Sequence, residues 1–148
     1  MLLGGEPHPI RIEHTAAGPI ARLGGISAAV GDAADVRPQL ERALRNEARA
    51  VLVPRLRQLA TAHGLEFSRV SIRGQRSRWG SCSRTGAIAL NYRLIQMPAA
   101  VCDYVLLHEL MHLKQQNHGP RFWALVESAC PDYREAERWL RTAGRRLF

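Results

Sequence analysis

Apolar residues recur at helical spacing through the middle of the chain, between Asp35 and Gly64. Seven of them fit one face of an amphipathic helix: Leu40, Leu44, Ala48, Val51, Leu52, Leu56 and Leu59. Pro54 lies inside this pattern, and its ring removes a backbone donor and collides with the preceding turn. We therefore expect a long helix that ends at Gly64 and is kinked or divided near Pro54.

Short apolar runs indicate extended chain between residues 65 and 95. Phe67, Val70 and Ile72 form the first run, and the run AIALNYRLI directly follows Thr85-Gly86. A Thr-Gly pair between two extended runs is typical of a hairpin. We expect a small antiparallel sheet of about three strands in this region.

The pattern becomes helical again after residue 98. Residues 99–116 contain no Gly or Pro and are apolar around almost the whole helix circumference, which predicts a helix in the protein interior. Gly119 and Pro120 break this helix and begin a short one. Asp132 and Glu135 then have the spacing of a capping box for a last helix.

The first 34 residues give the weakest structural signal. Short apolar pieces are mixed with Gly and Pro in residues 8–30, which suits one or two short strands or an irregular arm. A length of 148 residues with 46% hydrophobic content fits a single domain. We expect an α+β fold, with residues 1–34 as an N-terminal arm or strands and residues 35–148 as the main body.

The charge balance admits an anionic partner without requiring one. The net charge is +8, and Lys114 is the only lysine among 21 basic residues. The planar guanidinium of arginine suits phosphate and carboxylate groups. The arginines are spread along the chain, however, and form no basic block, so a solvated surface is favoured over a nucleic-acid-binding tail.

Cysteine usage and hydropathy indicate the compartment. The three cysteines are far apart and form no C-x-x-C pair, so neither a disulfide framework nor a thiolate zinc site is predicted. The first residues lack the features of a secretory signal, and no uncharged apolar stretch approaches the roughly 20 residues needed to cross a bilayer. We expect a cytoplasmic protein with no membrane partner.

Candidate chemistry is concentrated in HELMHLKQQNHGP, which begins at His108 and carries three of the six histidines. Helix positions four apart share one face, so the imidazoles of His108 and His112 can converge on one ion. Zinc accepts imidazole nitrogen at roughly 2.0 to 2.1 Å. Glu109 favours a hydrolytic site over a structural one, because zinc hydrolysis needs a nearby carboxylate to move protons.

His118 can complete this site only if the chain bends. A continuous helix would place it about 240° around the axis from His112. Residues 117–120, Asn-His-Gly-Pro, allow a turn that brings His118 back. Three histidines and a water form the open coordination of a catalytic site, so we expect one zinc ion on His108, His112 and His118. In the competing interpretation, His118 is only a polar turn residue.

Residues 76–133 resemble the core of the YgjP-like metallopeptidase family, which is related to the SprT-like proteases and more loosely to other zincins. The resemblance rests on RWGSC, the strand with Asn91, the HELxHL helix, NHGxxFW and the closing PDY. It implies a compact zincin-like domain in which a small sheet packs over the metal helix. Family members usually have a longer, β-rich N-terminal part, which residues 1–34 match poorly.

The resemblance also implies roles for individual residues. The zinc ligands would be His108, His112 and His118. Glu109 would act as general base and acid. The strand from Ile88 to Asn91 resembles the edge strand that receives an extended peptide by backbone pairing in zincins, which makes Ile88, Ala89 and Asn91 the expected substrate-binding residues.

The leading hypothesis is a zinc-dependent metallopeptidase acting on a protein or peptide. One alternative is a nucleic-acid-binding module with a structural zinc, in which arginines around Trp79 contact phosphates: Arg73, Arg76, Arg78 and Arg84. Another is a zinc hydrolase that cleaves a non-peptide amide with the same ligands. The group that stabilises the oxyanion is left open among Tyr92, Tyr104, Arg121 and Tyr133.

Overall fold

The computed structural model describes residues 1–32 and 34–148, and Ala33 of the predicted N-terminal segment lies outside the described residues. Its helices are α1 Arg37–Ala62, α2 Ala99–Met111, α3 Pro120–Ala129 and α4 Tyr133–Arg141, with 3-10 turns at Tyr92–Gln96 and Gly144–Leu147. Its strands are β1 Leu2–Leu3, β2 Glu6–Pro7, β3 Ile10–Thr15, β4 Gly18–Leu23, β5 Ile26–Ala29, β6 Arg69–Arg73, β7 Gly80–Cys82 and β8 Ala87–Asn91. The predicted α+β class is confirmed.

Helix α1 is the central support of the fold. It buries the predicted stripe except for Val51, which is 48% exposed, and Leu59, which is partly buried. The predicted division at Pro54 is wrong, because the helix is continuous from Arg37 to Ala62. Pro54 and Ala50, whose carbonyl loses its helical partner, both lie on the exposed side, where water can donate to the unpaired carbonyl while the buried side remains packed.

The N-terminal segment is more regular than the arm or the one or two strands expected. Strands β3, β4 and β5 form an antiparallel sheet, and Ala21, Leu23 and Ile26 enter the same core as α1. The short β1–β2 hairpin is tied to the first 3-10 turn, where the N–H of Gly4 donates to the carbonyl of Ile95 over 3.0 Å. Strand β3 alternates Ile10 and Ile12 with Arg11 and Glu13, but it is exposed along its whole length, so this alternation marks no buried face.

The predicted three-stranded sheet between residues 65 and 95 is present, with the order β6-β8-β7. β7 and β8 form the expected antiparallel hairpin around Gly86, but β6 runs parallel to β8, so the sheet is mixed. Residues 74–79 carry the chain past the end of β8. The amide of Asn91 holds them there by donating to the carbonyls of Gln75 and Arg78 over 2.6 and 2.9 Å.

Helix α2 lies in the interior, as its apolar circumference predicts, with nine of its 13 residues buried. It ends at Met111, earlier than the expected end near residue 116. The following bonds tighten to three-residue spacing, and the side chain of Gln116 donates to the carbonyl of His112 over 2.7 Å. The helix end is therefore capped by its own continuing chain.

Helices α3 and α4 follow the predicted order and pack against α2. α4 begins after Asp132, but Asp132 makes no side-chain capping bond, so the capping-box prediction is wrong. No helix among residues 1–32 and 34–148 is long and apolar enough to cross a membrane.

Candidate active site

Three imidazoles meet where α2 ends and α3 begins. The Nε2 atom of His118 lies 3.2 Å from Nε2 of His108 and 3.0 Å from Nε2 of His112. Two nitrogens on one tetrahedral zinc ion stand about 3.3 Å apart, given zinc–nitrogen bonds of about 2.05 Å. The turn at residues 117–120 therefore brings His118 to the pair on α2, and the three histidines could hold one metal ion.

The outer ring nitrogens determine which lone pairs face this point. Nδ1 of His112 lies 3.0 Å from the carbonyl of Gln115 and donates to it. Nδ1 of His108 lies 3.3 Å from the hydroxyl of Tyr104, which donates its own proton to Glu137 over 3.0 Å. With protons on both Nδ1 atoms, the Nε2 lone pairs converge without a proton between them, which is the arrangement that a bound cation satisfies.

Burial keeps the imidazoles of His108 and His112 in the neutral form that binds metal. Burial lowers the pKa of His108 to about 4, with smaller contributions from His112 and His118. Burial also lowers the pKa of His112. Neutral imidazole is the ligand form, so the site is prepared for a cation at neutral pH.

Phe122 forms the floor beneath the histidines. Its ring stacks on His112 with centroids 4.4 Å apart and meets His108 and His118 edge to face at 4.9 Å. Phe122 is fully buried. Phe122 therefore packs against the end of α2 and holds all three imidazoles in position through one side chain of α3.

Glu109 is a buried carboxylic acid without a hydrogen bond on one oxygen. Its residue is 5% exposed, and Oε2 has no hydrogen-bond partner among the residues that the structure describes. Burial raises the pKa of Glu109 to about 7. A carboxyl group with this pKa can both accept and release a proton at neutral pH.

Gly80 allows the sheet to approach Glu109. A methyl group at Gly80 would lie 2.9 Å from Cγ of Glu109 and 3.0 Å from Oε1. The backbone of β7 therefore closes over the carboxylate at a distance that any larger residue would prevent. Together the histidines, Glu109 and β7 line a cleft of about 290 Å³ that also includes Arg78, Cys82 and Gln116.

A family model described as YgjP-like, metallopeptidase domain, matches residues 1–143. The chain belongs to the YgjP-like family. A search among curated proteins gives no significant match. The family match includes residues 1–34.

Two solved structures share the fold of this YgjP-like domain. The metallopeptidase zymogen abylysin of Pyrococcus abyssi is 26% identical, with a TM-score of 0.54 over 62% of this chain and 94% of its own. The metallopeptidase zymogen jannalysin of Methanocaldococcus jannaschii is 21% identical, with a TM-score of 0.51 over 59% of this chain and 90% of its own. The similarity to abylysin supports the assignment to metallopeptidases, whereas the similarity to jannalysin, at 21% identity, supports the fold alone.

The residues expected to receive substrate lie elsewhere than predicted. β8 is the central strand of its sheet and pairs with β6 on one side and β7 on the other. Ile88 is buried in the core, and the side chain of Asn91 holds the loop at residues 75–78. The prediction of β8 as an edge strand is therefore wrong, because the loop before β7 carries the chain to the far side of β8. The edge strand beside the YgjP-like site is β7.

Two residues of the site were missed by sequence reasoning. Tyr104 was considered only as an oxyanion donor, but it lies behind His108 and orients its ring. The spacing of four residues on one helix face is the signal that would have found it. Gly80 was seen only as part of RWGSC, and its close approach to Glu109 depends on tertiary packing.

The alternative site around Trp79 is not assembled as a base-stacking surface. Trp79 is partly buried against the core, and its ring packs on Phe148 with centroids 4.2 Å apart. Arg93 lies over the ring of Phe148, with its guanidinium carbon 5.7 Å from the ring centroid. Trp79 is therefore a packing residue of the YgjP-like fold.

Proposed function

We propose that this protein is a zinc-dependent metallopeptidase that hydrolyses peptide bonds, with His108, His112 and His118 as zinc ligands and Glu109 as general base and acid. One observation carries the proposal. The Nε2 atoms of His108, His112 and His118 converge, and the buried carboxyl group of Glu109 follows His108 on α2. Membership of a metallopeptidase family agrees with this site.

The donor set favours zinc. Three neutral imidazoles leave a fourth tetrahedral position free, which is the arrangement of catalytic zinc sites. His118 is exposed and lines the cleft beside Glu109, so a zinc ion held by these histidines would be accessible from the cleft. When bound, zinc supplies Lewis-acid polarisation and lowers the pKa of a coordinated water to about 7.

Glu109 handles the protons. Its carboxylate takes a proton from the attacking water and delivers it to the departing amine, which is expelled as a neutral leaving group. The carboxyl oxygens need no reorientation, because β7 packs against the side chain at Gly80. Tyr104 and Glu137 act indirectly, by fixing the ring of His108.

The free edge of β7 is the proposed peptide-binding strand. The carbonyl of Trp79 accepts from the N–H of Asn91, and the N–H of Ser83 donates to the carbonyl of Ala87, both over 2.9 Å. Because antiparallel bonding alternates, the backbone groups of Gly80 and Cys82 point away from β8. An extended substrate can pair with these groups and pass along the cleft beside Glu109.

The deciding experiment compares the wild type with Glu109→Gln. We expect about one zinc ion per chain in both proteins by elemental analysis, and cleavage of an unfolded protein substrate by the wild type. The rate in Glu109→Gln should fall between about a hundredfold and ten-thousandfold, because only proton transfer is removed.

A matched control is Glu127→Gln, which makes the same change at an exposed position of α3. This control should retain wild-type cleavage. Undiminished proteolysis by Glu109→Gln would refute the assigned role, and a wild-type protein without zinc would refute the metal site. Zinc binding with cleavage of simple amides but of no peptide would favour the non-peptide hydrolase.

A further inference from the structure

A second groove lies on the outer face of the β6-β8-β7 sheet, on the opposite side from the core. It has a volume of about 510 Å³. Its lining joins three arginines to serines and small apolar residues: Arg69, Ser71, Arg73, Arg78, Ser81, Cys82, Ser83, Ala87, Ile88 and Ala89. No carboxylate is among these lining residues.

The strand register explains the shape of this groove. Ser71, Ala89 and Ser81 face one another in a row across the three strands. Arg69 and Ala87 form the next row along the sheet. The floor is therefore made of small side chains and hydroxyl groups, and long arginine side chains rise at its margins.

The arginines of the groove have no ionic partners. Over residues 1–32 and 34–148, the ion pairs are Arg22 with Glu13 and Arg55 with Asp103. Neither pair belongs to the groove. Arg73 instead lies along its own strand, where its Nε donates to the hydroxyl of Ser71 over 3.3 Å. Unpaired guanidinium groups beside hydroxyl donors form a site for an anion.

The groove continues into the proposed catalytic cleft across a single strand. Arg78, Ser81 and Cys82 line both cavities. Side chains of an extended peptide paired with β7 would alternate between the two faces of the sheet. A side chain in register with Gly80 would face Glu109, and one in register with Ser81 would face the groove.

We propose that the outer groove selects peptide substrates with an acidic side chain at the position in register with Ser81. This inference rests on the proposed peptidase function and specifies its substrate class. Arg78 binds the carboxylate, while Ser81 donates a hydroxyl hydrogen bond to it.

An acidic peptide fits the groove better than a nucleic acid does. The cavity accommodates one or two side chains, whereas a nucleic-acid path combines an extended basic surface with exposed aromatic rings. Trp79, the nearest tryptophan, is instead packed on Phe148.

The test measures cleavage of peptide pairs that differ only by Glu or Gln at each position in turn. At one position, the wild type should prefer Glu by about tenfold in kcat/KM, mainly through KM. Arg78→Gln should reduce this ratio toward one, and the charge reversal Arg78→Glu should favour Lys at the same position. Arg49→Gln, an equal charge change on the exposed surface of α1, should leave the wild-type ratio intact.

Binding provides a readout that does not require turnover. Fluorescence anisotropy of the same labelled peptides with zinc-loaded Glu109→Gln should show the same preference for Glu and the same loss on substitution of Arg78. Equal cleavage and binding of Glu and Gln peptides would overturn the inference while leaving the peptidase intact. Absence of all peptide hydrolysis would refute the proposed function, and the anisotropy would still decide the groove.

Nucleic acid is the remaining occupant to be tested. Salt-dependent binding of single-stranded DNA or RNA that displaces the acidic peptide and is lost in Arg78→Gln would overturn the peptide assignment in favour of phosphate recognition.

Discussion

Ionisation of Glu109 costs free energy in the folded protein, because burial separates its carboxylate from water. Its pKa of about 7 lies above the ordinary value of 4.5, so the folded chain holds this proton more tightly than the unfolded chain does. The group therefore lowers stability progressively as the pH rises from about 4.5 to 7, and the full loss remains above pH 7. This cost is typical of a residue kept for chemistry.

This behaviour can be measured in metal-free protein by comparing the wild type with Glu109→Gln. The free energy of unfolding of the variant relative to the wild type should increase by on the order of 2 to 3 kcal/mol between pH 5 and pH 8. Urea unfolding at each pH provides the measurement. The histidines titrate in both proteins, so their contributions cancel. A pH-independent difference would show that Glu109 is not perturbed.

Single residues also illustrate what a local pattern reveals. His108, Glu109 and His112 are neighbours on one helix, and helical geometry alone predicts that the two imidazoles share a face. The role of Tyr104 could have been recognised by the same rule, since it lies one turn before His108 on α2. The orphaned oxygen of Glu109 could not, because burial comes from β7 and from the core.

At the scale of elements, the site depends on how closely β7 approaches α2. Gly80 is the contact point, and the neighbouring side chain of Glu109 is too buried to move aside cheaply. β7 and α2 can therefore lie this close together only because Gly80 has no side chain.

Gly80→Ala tests this approach. The added methyl group would force β7 and Glu109 apart, and we expect a destabilisation of about 1 to 3 kcal/mol together with a loss of proteolysis at retained zinc content. Thermal unfolding and cleavage assays measure both effects. Gly25→Ala is the matched control, because its new methyl group would meet nothing within 4 Å. If the two variants behaved alike, the close contact would have no functional weight.

The elements differ in how far the sequence predicts them. The stripe of α1 and the apolar circumference of α2 are periodic, so both helices follow from pattern. Strand β3 has only a short alternation of Ile10 and Ile12 with polar residues, and neither of its faces is buried. The earlier end of α2 follows from a bond between Gln116 and the carbonyl of His112, a choice that helix propensity does not encode.

At the scale of the whole molecule, the proposed metal joins parts that the chain connects only through a turn. His108 and His112 belong to the end of α2, whereas His118 precedes α3, and Phe122 packs beneath all three. Zinc binding should therefore stabilise the domain as a whole, because the unfolded chain holds no preformed site.

Chelation tests this linkage. Removal of zinc with EDTA should lower the Tm, and restored zinc at about a thousand times its Kd should recover on the order of 4 kcal/mol. Calorimetry with and without zinc gives the measurement. His118→Gln should reduce the zinc-dependent shift, and His63→Gln, outside the site, should not. Equal shifts in both variants would exclude His118 from the metal site.

The helices, the α+β class and the grouping of His108, Glu109 and His112 can be predicted from the sequence, because they depend on contacts between residues a few positions apart. Three features become visible only in the tertiary structure: β7 forms the edge beside the site, Gly80 packs closely against Glu109, and three arginines line one groove. These features depend on residues 74–79 carrying the chain past β8. The spatial order of strands is a long-range property, since each pairing is selected by packing over the whole core and not by the residues of one strand.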